Sequence, residues 1–361
     1  MSEQRPIGSF ANQVKRINEA CTSKADVYSV TKYNGFVRSL DYFKKQVFSR
    51  DLSSYKIVKR GEFAYSTIHL DEGALGLLSD EEALISPMYT TFEVDESVDK
   101  IYLSYLLRSP ELVSQYGLIG QGSVNRRKSV PFSSLAEIEV FTPPLPEQKK
   151  IAEILSGIDT QIQALVKKIA NTSMLRNSLG RKIFSSLDGE RVPLGELCNP
   201  KQWQTISTNQ LTNSGYPVYG ANGKIGYFTE YNHKEPVLAV TCRGATCGNL
   251  TLVPAFSYVT GNSMCLDNPR EDTSPEYLFQ FLSWRGLKDV ISGSAQPQIT
   301  RSPLQAVEVV LPSKERQDKI VSALESVNNA ENIMNIALGR LDLLKQAISA
   351  DLLSGRKRVS V

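Results

Sequence analysis

Asn125-Arg126-Arg127-Lys128 follows Gly120-Gln121-Gly122-Ser123, so three adjacent cations stand behind a glycine-rich turn. Such a cluster suits phosphate contact, and Arg can also hold guanine through two hydrogen bonds. The corresponding stretch later in the chain is Ser294-Ala295-Gln296-Pro297-Gln298-Ile299-Thr300-Arg301. There Gln296 and Gln298 suit adenine, and Arg301 suits phosphate or guanine. A third stretch, residues 215–227, sets Tyr219, Asn222, Lys224 and Tyr227 among glycines, and Thr241, Arg243 and Gly244 follow it. These side chains suit base edges and sugar-phosphate. The comparable early candidates are Thr31, Lys32, Asn34, Tyr42, Lys44 and Lys45. A plainer reading stands beside each: charge runs are usually solvated loops, and Tyr219 and Tyr227 equally suit core positions beside tight turns.

Enzyme signatures are missing. There is no Gly-x-x-x-x-Gly-Lys-Ser/Thr phosphate loop, no Gly-x-Gly-x-x-Gly and no Gly-x-Ser-x-Gly elbow. Asn199-Pro200-Lys201 and Asn268-Pro269-Arg270 both lack the second proline and the aromatic of an amino-methyltransferase motif. With 2 His in 361 residues, a His-rich metal or acid–base site is excluded. Cys242 and Cys247 do not have zinc-knuckle spacing, and the 5 Cys read as reduced, mostly buried thiols of a cytoplasmic protein. No secretory signal is visible and no apolar run approaches the ~18 residues of a membrane span. The formal charge of +3 excludes a histone-like protein but not nucleic-acid binding, which depends on local clustering.

The elements that would carry these loops come in two copies. Residues 133–155 align without a gap on residues 302–324, with Leu135 on Leu304, Glu139 on Glu308, Pro143 on Pro312, Gln148 on Gln317 and Ile151 on Ile320, an offset of 320 − 151 = 169. In each copy, short β-prone runs precede a helix-like piece (residues 99–108 and 275–285) and then a long amphipathic helix. Ile151, Leu155, Ile158, Ile162, Leu165 and Ile169 step by four and three, the seam of a coiled coil. Thr172 and Arg176 break it, and Leu175, Leu179 and Ile183 resume in a shifted phase. The second helix carries Ile320, Leu324, Val327, Met334, Leu338 and Leu341, with Glu331 where Ile162 stands, then Leu344, Ile348 and Leu352. Two helices of equal length with matched breaks most simply pair with each other. The fold class is α+β with mostly antiparallel sheets, divided as residues 1–145, 146–188, 189–311 and 312–361: a mixed domain and a helical spacer, twice.

In order and in duplication these residues resemble the specificity subunit of type I restriction–modification systems. The resemblance covers essentially the whole chain. It rests on Tyr216-Pro217-Val218-Tyr219-Gly220-Ala221-Asn222-Gly223, Arg243-Gly244-Ala245, Thr260-Gly261-Asn262, Val192-Pro193-Leu194-Gly195 and Pro143-Pro144-Leu145-Pro146-Glu147-Gln148. The first half departs, with Val30-Thr31-Lys32-Tyr33-Asn34-Gly35 in place of the Tyr-Gly-x-Asn-Gly loop. The resemblance implies two pseudo-symmetric target recognition domains separated by two long helices forming an antiparallel coiled coil. It also implies a non-catalytic subunit that reads a bipartite, asymmetric target in double-stranded DNA. Its partners would be two methyltransferase subunits and two restriction motor-nuclease subunits. S-adenosylmethionine, Mg and ATP would belong to those partners, and no membrane is involved. The DNA-binding candidates are then Lys32, Asn34, Arg126, Arg127, Lys128, Tyr219, Asn222, Lys224, Arg243, Gln296, Gln298 and Arg301. Competing readings are a methylation-only defence system, a duplicated protein-interaction scaffold, and an enzyme with an unrecognised site.

Overall fold

A computed structural model describes residues 4–19, 21–120, 129–293 and 295–360. The chain forms two compact units: residues 1–164 with 338–361, and residues 165–337. The fold class is α+β, as expected. The candidates Arg126, Arg127 and Lys128 lie outside the described residues.

In the first unit, β1 (Gln4–Pro6) pairs with β10 (Glu139–Phe141). One four-stranded sheet runs β2 (Ala11–Val14), β9 (Tyr89–Val94), β6 (Phe63–Ser66), β7 (Leu75–Leu77). The other runs β4 (Gly35–Arg38), β3 (Val27–Thr31), β8 (Glu82–Ile85), β5 (Lys56–Lys59), with β3 and β8 parallel. In the second unit, β11 (Glu190–Pro193) pairs with β19 (Glu308–Leu311). Its four-stranded sheet runs β12 (Asn199–Gln202), β18 (Ser263–Asp267), β15 (Val237–Thr241), β16 (Leu250–Val253). Its smaller sheet runs β14 (Gly223–Phe228), β13 (Tyr216–Gly220), β17 (Tyr258–Val259), with β13 and β17 parallel. Apart from β5, the two units share one plan, strand for strand and direction for direction.

The strand pattern explains the layering. Alternate residues of a strand face opposite ways. On β15 and β18, Leu238, Val240, Met264 and Leu266 join the core under the helix Pro275–Arg285, while Val237, Ala239 and Cys265 join Val259 beneath the smaller sheet. Both strands are buried throughout, which is why they read as continuous apolar runs. The first unit repeats this. Phe63, Tyr65 and Phe92 face one core and Ala64 the other.

The long helices span Leu145–Ser185 and Lys314–Leu353. Each has a buried glutamine in its first turn. Gln148 Oε1 accepts the backbone N–H of Asp99 at 2.8 Å, and its Nε2 donates to the Pro143 carbonyl at 2.8 Å. Gln317 Oε1 accepts from Ser274 N–H at 3.0 Å, and its Nε2 donates to the carbonyls of Asp272 at 2.7 Å and Pro312 at 3.0 Å. Nearby, the Tyr102 hydroxyl donates to the Phe141 carbonyl, and that of Tyr277 to the Val310 carbonyl. The repeated Gln, Pro and Tyr of the two copies are therefore one clamp made twice.

Within each unit, the start of one long helix packs beside the end of the other. In the first unit Ile151 and Leu155 share a core with Leu352 and Leu353, Lys345 pairs with Asp159 at 2.5 Å, and Arg358 pairs with Glu147. In the second, Ile320 and Leu324 share a core with Phe184. There Arg176 meets Glu331 at 3.1 Å, so the two charged residues that break the apolar seams neutralise each other. The resumed seam differs from expectation at its first positions. Leu175 is 58% exposed and Leu344 50%, because the charged neighbours Arg176 and Lys345 take the inward places. The apolar contact restarts at Leu179 and Ile348.

Gln317→Ala would leave one N–H and two carbonyls without their partner, at a cost of about 2–4 kcal/mol. The expected result is lower stability in chemical denaturation and faster amide exchange around Ser274, with protection at Asp99 retained in the first unit.

Candidate nucleic-acid interface

In the second unit, three loops meet around the tip of the β13–β14 hairpin. The tip is Ala221-Asn222, closed by Gly223 in the left-handed region at φ +88. The loop after β15 carries Arg243 and is tied to the tip twice: Thr241 Oγ1 donates to the Ala221 carbonyl at 2.8 Å, and Thr246 Oγ1 to Asn222 Oδ1 at 3.0 Å. The third loop holds Gln296 and Gln298. It is joined to the second by a bridge between Arg243 and Gln298, and Gly244 N–H donates to the Pro297 carbonyl at 3.1 Å. Asn222, Arg243, Gln296 and Gln298 are all exposed on this rim. Among the described residues no carboxylate pairs with Arg243, so its guanidinium keeps its hydrogen-bonding capacity for a ligand.

Beneath Arg243, Cys242 is fully buried and accepts from Gln202 Nε2 at 3.0 Å. Burial pushes its thiol up, which keeps it protonated at neutral pH and makes it a packing group. Gln202 also donates to the Gly261 carbonyl at 2.9 Å. The sequence reading missed both Gln202 and Thr246. Their part shows only once the loops are placed together.

The other candidates are engaged in contacts of their own. Lys224 donates to the Tyr227 hydroxyl at 2.7 Å and lies over that ring at 3.9 Å. Tyr219 is half-buried against the Val237, Ala239 and Cys265 core, which favours its packing role. Arg301 donates to Asn199 Oδ1 at 2.5 Å at the start of β12.

In the first unit, the hairpin β3–β4 occupies the place of β13–β14. Lys32, Tyr33 and Asn34 form its tip, and Gly35 has φ +59. The Asn-Gly pair at the tip therefore recurs, in a turn one residue longer. Asn34 N–H donates to Thr31 Oγ1 at 3.2 Å. Arg108, held below its usual range by burial, donates to the carbonyls of Lys32 at 3.2 Å and Tyr33 at 2.6 Å. Lys32 and Asn34 are exposed, and Tyr33 is 75% exposed. The exposed aromatics Tyr42 and Phe43, with Lys44 and Lys45, follow on the same segment.

The loop after β6 occupies the place of the Arg243 loop. Val130 N–H donates to the Thr67 carbonyl at 2.9 Å as Ile299 N–H donates to that of Cys242 at 3.0 Å. Its charge is opposite in kind, with Asp71 and Glu72, and His69 Nδ1 lies 3.1 Å from Glu72 Oε1. Two copies of one frame thus present different chemistry at equivalent points.

No described helix is long and apolar enough to cross a membrane. All five cysteines are free.

Comparison with known proteins accords with this plan. A family model described as the type I restriction modification DNA specificity domain matches residues 78–172 and 187–339. The putative type I restriction enzyme MjaX specificity subunit of Methanocaldococcus jannaschii is 22% identical, covering 96% of this chain and 87% of its own. The EcoprrI specificity subunit of Escherichia coli is 28% identical, covering 57% of this chain and 58% of its own. Among solved structures, the S subunit of a type I restriction–modification system from M. genitalium shares the fold at a TM-score of 0.65. It has 17% identity and covers 97% of this chain and 95% of its own.

Arg243→Ala is expected to weaken duplex binding by about 1–3 kcal/mol and to relax preference at one base of a target. Competition binding over a randomised site checks this. An equal loss on every sequence would make Arg243 a phosphate contact.

Proposed function

Because the chain belongs to the type I restriction modification DNA specificity family, we propose that it reads a bipartite, asymmetric target in double-stranded DNA, each unit reading one half. The observation that carries this is the duplicated loop set. Each unit holds an Asn-Gly hairpin tip beside the loop after the second strand of its larger sheet, and the exposed side chains differ between the copies. Two identical readers would suit a symmetric site, whereas these suit two unlike half-sites. In the second unit Arg243 and Gln298 would read base edges, and in the first Lys32 and Asn34 would do so, with Arg126, Arg127 and Lys128 neutralising phosphates.

The long helices fit the role of spacer. The 41 residues of the first would extend about 60 Å as a straight helix. Their outer faces support docking of partners. In the second unit Val166, Met174, Leu175, Ile333 and Ile336 are each at least 50% exposed, as are Leu343 and Leu344 in the first. Apolar groups of that number on a water-facing surface mark interaction sites. The partners in this reading are two methyltransferase subunits, which act on a flipped adenine with S-adenosylmethionine, and two motor-nuclease subunits using Mg and ATP. This chain itself is non-catalytic and works in the cytoplasm.

Methylome sequencing of cells with and without the gene is the direct test. A two-part adenine motif that vanishes with the gene supports the reading, and an unchanged methylome refutes it. The spacer role has its own test. Adding about one helical turn, roughly four residues, after Ile169 with a matching insertion in the second helix is expected to change the gap between half-sites and leave both halves unaltered.

A further inference from the structure

His233, Cys265 and Asp267 lie together in the second unit, with one donor atom from each inside a span of 4.8 Å. Cys265 is 0% exposed, and His233 and Asp267 8% each. Cys265 and Asp267 are two residues apart on β18 and so share a face of the sheet. His233 comes from the segment between β14 and β15.

The hydrogen bonds around the imidazole settle its tautomer. Asn232 Nδ2 donates to the Val259 carbonyl at 2.9 Å, and Asn232 Oδ1 accepts from Val259 N–H at 2.8 Å. The amide is thus oriented at both ends, and the atom facing His233 Nδ1, at 2.7 Å, is an oxygen. Nδ1 must therefore carry a proton and donate it, which in a neutral ring leaves a lone pair on Nε2. That lone pair faces Asp267 Oδ1 at 3.0 Å, while Asp267 Oδ2 accepts from Trp203 Nε1 at 3.0 Å. Two acceptors that close, out of water, need a cation between them.

A proton would serve the His–Asp pair and leave the adjacent thiol without a polar role. A metal ion would use all three donors. We propose that His233 Nε2, Cys265 Sγ and Asp267 Oδ1 bind a divalent ion of the zinc class, with Asn232 as the outer group that orients the histidine. The donor set N, S and O suits zinc, and water would complete a four-coordinate sphere. A ligating histidine usually donates its other ring N–H to an oxygen acceptor, as His233 does to Asn232. On binding, the Cys265 S–H proton leaves to solvent as the sulfur–metal bond forms, so neutral His233 contributes none and one proton is released per ion. Charge balances, since a thiolate and a carboxylate neutralise the divalent ion. The ion would join the smaller sheet's connection to the larger sheet, under the frame that holds the Asn222 hairpin. This inference does not depend on the DNA reading.

The full chain, prepared with zinc and dialysed, is expected to retain one zinc per chain by elemental analysis. Cobalt replacing it should give a near-ultraviolet thiolate-to-cobalt band. Cys265→Ala should abolish that band, and both Cys265→Ala and His233→Ala should weaken metal binding by more than the roughly 10- to 100-fold expected for changing the outer group Asn232. If His233→Ala does not fold, Cys265→Ala, a smaller change, carries the test alone. A chain that retains no more metal than Cys265→Ala, with both His233 ring nitrogens protonated by nitrogen NMR, would overturn the proposal and assign the cation as a proton.

Discussion

A buried glutamine at the start of each long helix is the constraint on which the architecture turns. Gln148 and Gln317 each answer backbone groups from two segments that are otherwise distant in sequence, one before the mixed domain's helix and one before the long helix itself. Main-chain groups buried there would have no water to turn to, so the side chain that satisfies them also fixes the angle at which the helix leaves the sheet. A carboxylate or an apolar side chain could not both donate and accept in this way. That explains why the duplicated segment preserves Gln at 148 and 317 while much of the surrounding surface differs between the copies.

With the frame fixed from inside, the loops are free to differ. The rim of the second unit is held by side chains bonding to backbone, Thr241 to Ala221 and Arg108 in the corresponding role for the first unit's turn. These contacts leave the exposed Arg243 and Asn34 side chains out of the scaffolding, while Asn222 commits only its Oδ1, to Thr246. Packing cores below and uncommitted polar groups above form the division of labour a reader of sequence requires.

Much of this plan was legible in the sequence. The offset of 169 located both helices and set Gln148 on Gln317, and β-prone runs marked strands such as β15 and β18. The equivalence of the two hairpin tips was hidden because Lys32-Tyr33-Asn34 is one residue longer than Ala221-Asn222, which breaks the alignment where it matters. The pairing of Arg176 with Glu331 was hidden too, since it needs the antiparallel register and each residue alone reads as a flaw in a seam. Counting histidines excluded a His-rich site but said nothing of one His meeting a Cys and an Asp more than thirty positions away.

The composition of the first unit has a consequence for how the protein is made. The second unit is one uninterrupted stretch, residues 165–337, whereas the first needs residues 338–361 as well. Ile151 and Leu155 share their core with Leu352 and Leu353, which leave a ribosome only after the whole second unit has been made. Domains usually complete in the order of their synthesis. Here the order is inverted: the unit that starts first waits, with part of its apolar core uncovered, until residues 338–361, made after the second unit, arrive to close it.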